Sequence, residues 1–164
     1  MMLSSFQDKV QVFNNFITKK KCKEWIKKAN KSYNKNELFE IQNYTAGHFE
    51  KRTVDISKDP IVKKISEKFG GNLVIDEAQL QTWPVGSVSK LHIHNLDDRK
   101  ITKMNSMIYL NDDFEGGLFH TYWGVVIKPK TGMLTHFDGS TVWHGVSEVK
   151  KKDRFTLIFW WKNL

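Results

Sequence analysis

From Asn72 to the C-terminus, turn signals cut the chain into short, strand-length segments: Pro84-Val-Gly86, Asn111-Asp-Asp113, Gly116-Gly117, Lys130-Thr-Gly132 and Asp138-Gly139. Between them lie strand candidates at 73–83, 88–94, 104–110, 123–128, 132–137, 142–149 and 154–162. Many short strands separated by such turns predict a β-sandwich or barrel. The segment before Asn72 reads differently. Thr18 can cap a helix running to about Asn30, with Cys22, Trp25, Ile26 and Ala29 at helical spacing and lysines on the other faces. Asp59-Pro60 places a cap residue before a proline at the first helical position. Ile61, Val62, Ile65 and Phe69 then give an apolar stripe that Gly70-Gly71 ends. Two helices ahead of a run of strands predict helices bracing one face of the β-structure.

The 164 residues suit one compact domain over 1–164, long enough to bury a core without disulfides. Cys22 is the one cysteine, so no intrachain disulfide forms, which fits a reducing, cytoplasmic setting. The opening MMLSSFQDKVQVFNNF lacks the basic and then apolar regions of a signal peptide. No apolar run approaches the roughly 18 residues a membrane-spanning helix needs.

The net charge of +8 invites a nucleic-acid reading, but its distribution argues against one. Residues 1–36 hold nine lysines against Asp8 and Glu24, a net of +7, and the other 128 residues carry +1. The basic residues are 23 lysines and three arginines, Arg52, Arg99 and Arg154. Arginine is the usual bidentate reader of bases and phosphates. A lysine-rich, solvated helix face accounts for the excess.

Chemistry concentrates in the histidines, of which there are six. In Lys90-Leu-His-Ile-His94, strand alternation sends His92 and His94 to one face and Leu91 and Ile93 to the other. Two adjacent imidazoles make half a metal site, although a lone His-x-His is more often a pair of surface or hydrogen-bonded histidines. His144 opens a later strand, and Arg154 lies on the last one. There Arg154, Thr156, Ile158 and Trp160 share one face, and Phe155, Leu157, Phe159 and Trp161 the other. Both faces are otherwise apolar, so Arg154 is expected to be buried. A buried arginine needs an anionic partner, and few acidic residues are expected nearby. A bound carboxylate, held bidentately, is a natural one.

Taken in order, these motifs resemble the catalytic domain of the prolyl 4-hydroxylases. They are Gly86, His92-Ile-His94, Met107-Ile-Tyr-Leu-Asn111, Asp112-Asp-Phe-Glu-Gly-Gly117, Lys128-Pro-Lys-Thr-Gly132, Phe137, His144-Gly-Val146 and Arg154. Phe13-Asn-Asn-Phe-Ile-Thr18 through Cys22 resembles that family's opening strand and helix start, and Arg52-Thr53 the start of its next strand. The resemblance covers nearly the whole chain. It implies a double-stranded β-helix, or jelly roll, braced by helices. It also implies an iron(II)- and 2-oxoglutarate-dependent oxygenase that hydroxylates a C–H bond with release of succinate and carbon dioxide. Carried over, His92 and His144 are metal ligands. Arg154 sits where the family binds the far carboxylate of 2-oxoglutarate, and Tyr109 where related enzymes place a tyrosine against the same group. Molecular oxygen would be the co-reactant, ascorbate an auxiliary reductant, and a peptide or protein, plausibly at proline, the substrate.

Two positions depart from the family pattern. The usual aspartate ligand is His94 here, so a bound divalent ion keeps its full charge and zinc becomes a competitor for iron. Asp97 or Asp98 could supply a carboxylate instead, although loop aspartates are usually solvated. Trp83 stands in a region where the family often has a tyrosine near the cosubstrate. His136-Phe-Asp138 is formally a second His-x-Asp, but a structural histidine is expected there. His48 and His120 are expected at the surface, with His120 close to the substrate mouth. Three other readings stand beside the main one. A nucleobase-repair dioxygenase is disfavoured because Trp160 occupies the place of its second arginine. A three-histidine dioxygenase that needs no 2-oxoglutarate is disfavoured by Arg154 and Tyr109. A non-catalytic binding module with a decayed site is favoured by His94 but opposed by His144 and Arg154.

Overall fold

The computed structural model describes residues 10–34, 40–43, 50–94 and 104–164. In chain order the elements are β1 (Val10–Phe13), α1 (Lys19–Asn34), β2 (Glu40–Asn43), β3 (Glu50–Asp55), α2 (Pro60–Phe69), β4 (Leu73–Trp83) and β5 (Ser89–His92). There follow β6 (Met104–Tyr109), β7 (Glu115–Gly116), β8 (Phe119–Thr121), β9 (Val126–Ile127), β10 (Leu134–Phe137), β11 (His144–Val146), β12 (Val149–Lys150) and β13 (Arg154–Asn163). A seven-stranded sheet runs β1-β10-β6-β13-β4-β3-β2, and a four-stranded sheet runs β5-β11-β8-β9. β12 and β7 form a two-stranded ladder. All paired strands are antiparallel.

The helices begin where their caps predict. Thr18 Oγ1 accepts from the Lys21 N–H at 3.2 Å, and Asp59 Oδ1 accepts from the Ile61 N–H at 3.0 Å. α1 runs past Asn30 to Asn34, because Lys31-Ser-Tyr-Asn34 contains neither glycine nor proline to stop it. Both helices cover one face of the large sheet. Cys22, Trp25 and Ile65 join Ala78, Leu80, Ile108, Leu134, Leu157, Phe159 and Trp161 in one buried cluster. Among the described residues this is the largest buried apolar cluster, and removing its surface from water stabilises the fold.

The opposite face of the large sheet looks toward the small sheet, and it is the polar one. β13 lies between β4 and β6, pairing Arg154 with Trp83, and Thr156 with both Gln81 and Tyr109. Ile158 pairs with Gln79 and Met107, and Trp160 with Glu77 and Asn105. Cross-strand partners share a face. The inner face therefore carries Arg154, Thr156, Tyr109, Asn105, Gln79 and Gln81, and all six are buried.

Some sequence expectations shift in detail. The strand expected over 88–94 ends at His92, so His94 lies beyond it. The expected strand 142–149 is divided into β11 and β12, with a register shift between His144 and Val146. The strand expected over 123–128 shortens to β9, because Tyr122, Trp123 and Gly124 form the turn that joins it to β8. β2, β7 and β8 are too short or too polar to leave an alternating signal. Among the described residues, no helix is long and apolar enough to cross a membrane.

Candidate metal centre and adjoining pocket

The small sheet builds the histidine cluster. His92 ends β5 and His144 opens β11, and the two are direct Cα partners in the antiparallel ladder. His94 follows β5, where its backbone N–H donates to the Gly139 carbonyl at 3.0 Å. The ring centroids lie 4.5 Å apart for His92–His144, 4.8 Å for His94–His144 and 5.3 Å for His92–His94. One nitrogen from each ring lies within 4.8 Å of the others, so a small approach of the rings would let all three bind one cation.

Hydrogen bonds decide which nitrogens face the cavity. Nδ1 of His92 lies 2.8 Å from the Lys90 carbonyl, and Nδ1 of His144 lies 2.8 Å from the Val142 carbonyl. A carbonyl only accepts, so Nδ1 carries the proton in each ring and Nε2 keeps its lone pair for a metal. His94 Nδ1 packs against the Asn105 carboxamide, 2.8 Å from Nδ2 and 3.3 Å from Oδ1. Turning that amide by half a revolution puts Oδ1 against the ring and gives His94 the same tautomer. Gly139 makes room for the pair, since a Cβ there would stand 2.8 Å from His94 Nδ1 and 3.1 Å from the Asn105 amide. Burial first, and then the neighbouring His94 and His92, push His144 down to about pKa 3. It is therefore a neutral donor at any physiological pH, as cation binding requires.

The adjoining cavity is lined by the three histidines with Gln81, Trp83, Ser89, Asn105, Met107, Phe119, Phe137, Val146, Ile158 and Trp160. No carboxylate lines it among the described residues. Beside it Arg154 is fully buried, its guanidinium carbon 5.1 Å from the Trp83 ring centroid and 5.3 Å from that of Tyr109. Its Nη2 reaches only the Met107 sulfur, at 3.5 Å. Arg154 Nε and Nη1, Tyr109 Oη, Thr135 Oγ1 and Thr156 Oγ1 are all buried without a hydrogen-bond partner. The phenol and guanidinium are close enough to influence each other's protonation but are not in hydrogen-bonding geometry. Burial raises the Tyr109 phenol and lowers the Arg154 guanidinium, while their mutual attraction opposes both shifts. Gly117 lets this side chain pass, because a Cβ there would lie 2.7 Å from the Phe114 ring and 3.1 Å from Arg154 Cδ.

A carboxylate fits this second site. It would supply acceptor oxygens to Arg154 and Tyr109 and offset the only buried cation of the inner face among the described residues. A divalent ion fits the first, whose three imidazoles match a first-row metal.

The structure thus brings together His92, His94 and His144, and separately Arg154 and Tyr109. His136 stays out of both sites. It bonds to Ser106 Oγ at 2.7 Å and stacks on Phe69 with centroids 4.0 Å apart, on the helix-covered side. Asp138 instead closes a turn by accepting from the Ser140 N–H and hydroxyl. His120, expected at the surface, is half-buried in β8, opposite Gly145 and within its ring's reach. His48, Asp97 and Asp98 lie outside the described residues. The sequence reading missed Asn105, Thr135, Gln81 and Gly139. Alternation back from Tyr109 through Met107 would have pointed Asn105 inward.

No family model and no curated protein sequence matches the chain. Solved structures do. A prolyl-4-hydroxylase from Pseudomonas putida superposes with a TM-score of 0.74 at 15% identity, covering 95% of this chain and 93% of that one. A viral collagen prolyl hydroxylase from Paramecium bursaria Chlorella virus-1, solved as a 2-oxoglutarate complex, gives 0.73 at 17%, covering 95% and 97%. A Trichoplax adhaerens prolyl hydroxylase, solved with a peptide fragment of the hypoxia-inducible factor oxygen degradation domain, gives 0.74 at 18%, covering 94% and 84%. Over nearly its whole length, the chain has the jelly-roll fold of the prolyl hydroxylases.

Proposed function

We propose that this chain is a single-domain, cytoplasmic oxygenase dependent on iron(II) and 2-oxoglutarate, which hydroxylates a C–H bond of a peptide or protein substrate. The observation that carries the reading is the buried, unpaired polar set of Arg154, Tyr109, Thr135 and Thr156 beside three convergent imidazoles. Such a set is costly to bury unless an anion completes it. The folds of a 2-oxoglutarate-complexed and a peptide-complexed relative add support.

In this reading His92, His94 and His144 hold the metal through Nε2, and their Nδ1 partners fix the ring orientations. When bound, the metal would let molecular oxygen act as the oxidant, one oxygen atom going to 2-oxoglutarate, which leaves as succinate and carbon dioxide, and the other to the substrate C–H bond. The protein's own part is to bind and orient. Arg154 and Tyr109 take the distal carboxylate and set its depth. Met107, Phe119 and Val146 keep the neighbouring space apolar and exclude water. Proline remains a substrate by analogy of fold alone.

The imidazole at His94 favours a second reading, a three-histidine dioxygenase with no need for 2-oxoglutarate. One experiment separates the two: succinate formation from 2-oxoglutarate by the iron-loaded protein, with ascorbate as reductant. Metal-dependent succinate supports the first reading. Oxygen consumption without it supports the second.

A further inference from the structure

The inner face of β4 carries an unusual run of polar side chains at alternate positions: Glu77, Gln79, Gln81 and Trp83. They are linked in one direction. The Trp83 indole N–H donates to Gln81 Oε1 at 3.0 Å, Gln81 Nε2 donates to Gln79 Oε1 at 2.9 Å, and Gln79 Nε2 donates to the Glu77 carboxylate. The direction is forced at both ends. An indole nitrogen only donates and an ionised carboxylate only accepts, so neither amide between them can turn over without breaking two bonds. Gln79 and Gln81 are 5% and 1% exposed. Apolar side chains would fill the same space without the cost of desolvating two amides. A fully satisfied buried network fixes one geometry instead.

What it fixes is Trp83. The indole at the end of the run is the ring that faces the Arg154 guanidinium, its direct partner across β13. We infer that Glu77, Gln79 and Gln81 are positioning residues for the carboxylate pocket, a relay that holds the Trp83 indole against Arg154 from a carboxylate six residues earlier on the strand. The ring faces in turn limit how Arg154 can move, and so set where its free N–H groups point. The inference rests on the 2-oxoglutarate reading for the identity of the anion. The relay itself is independent of it.

The test uses the full chain and two readouts. The Trp83 indole N–H resonance, identified by its absence in Trp83→Phe, reports the relay. Titration of 2-oxoglutarate into the manganese(II)-loaded protein reports the pocket. In Glu77→Leu, which touches neither Trp83 nor Arg154, the indole resonance should shift and exchange faster. Cosubstrate affinity should fall about three- to tenfold, the equivalent of one lost hydrogen bond. Glu77→Gln keeps an acceptor oxygen and should restore both, which a loss of stability alone would not explain. Gln81→Asn, one methylene too short to bridge its partners, should repeat the Glu77→Leu result if that variant folds poorly. An unmoved indole resonance in both variants overturns the relay, and a moved resonance with unchanged affinity overturns its link to the pocket. If the wild type binds no 2-oxoglutarate, the cosubstrate reading and that link fall together, and the indole resonance alone decides the relay.

Discussion

His92 and His144 lie directly opposite each other on β5 and β11, and each bonds through Nδ1, at 2.8 Å, to the carbonyl two residues before it. The backbone two residues before each histidine thus supplies the orienting acceptor that a metal-bound histidine requires. Replacing either residue with alanine should abolish metal retention after iron loading and desalting, measured by elemental analysis. His94→Ala should do the same if the third imidazole is a ligand. His94→Asp should retain metal, since it substitutes one donor for another and lowers the site charge by one. Full stoichiometry in His92→Ala or His144→Ala would remove the assignment.

Asn105 and Gly139 should matter to the metal without touching it. Asn105→Ala removes the group against His94 Nδ1, and metal affinity should fall about 10- to 100-fold. Gly139→Ala drives a methyl into the His94–Asn105 contact and should weaken binding in the same direction. Competition with a chromophoric chelator measures both. Unchanged affinity in Asn105→Ala would place His94 outside the metal site.

His136 makes the fold acid-sensitive. Burial pushes it down to about pKa 4, against about 6.5 in an unfolded chain. The unfolded state therefore takes up the proton first as pH falls. The stability contribution is full above pH 6.5 and is lost between pH 6.5 and 4. Between pH 7 and pH 5 this one residue should cost about 2 kcal/mol. His136→Phe keeps the stack on Phe69 and leaves Ser106 Oγ its bond from the Trp161 indole. Urea unfolding of metal-free protein at the two pH values should show a correspondingly smaller loss in the variant. An equal loss in both proteins would assign the sensitivity elsewhere.

Much of this arrangement is legible in the sequence because its signals are periodic. Alternation places Arg154 and Thr156 on one face of β13, and helical spacing places Cys22, Trp25 and Ile65 against the other. The Asp59-Pro60 cap gives the start of α2 to the residue. Less legible is whatever depends on contacts between distant segments. His94 leaves its strand and is held by Gly139 and Asn105, neither of which its local pattern names. The hydroxyl of Thr135 comes to the same face as Arg154 only because β10 and β13 both pair with β6. His120 looks like a surface residue by composition, yet β8 pairs with β11 and draws it inward.

The central claim is that the buried guanidinium of Arg154 awaits the distal carboxylate of 2-oxoglutarate. Calorimetric titration of 2-oxoglutarate into the manganese(II)-loaded protein tests it most directly, with wild type compared against Arg154→Ala. The account predicts saturable, metal-dependent binding to the wild type, weakened in the variant by about 2–5 kcal/mol, the range for truncating one partner of a buried charge pair. Equal affinity in the two proteins would contradict it.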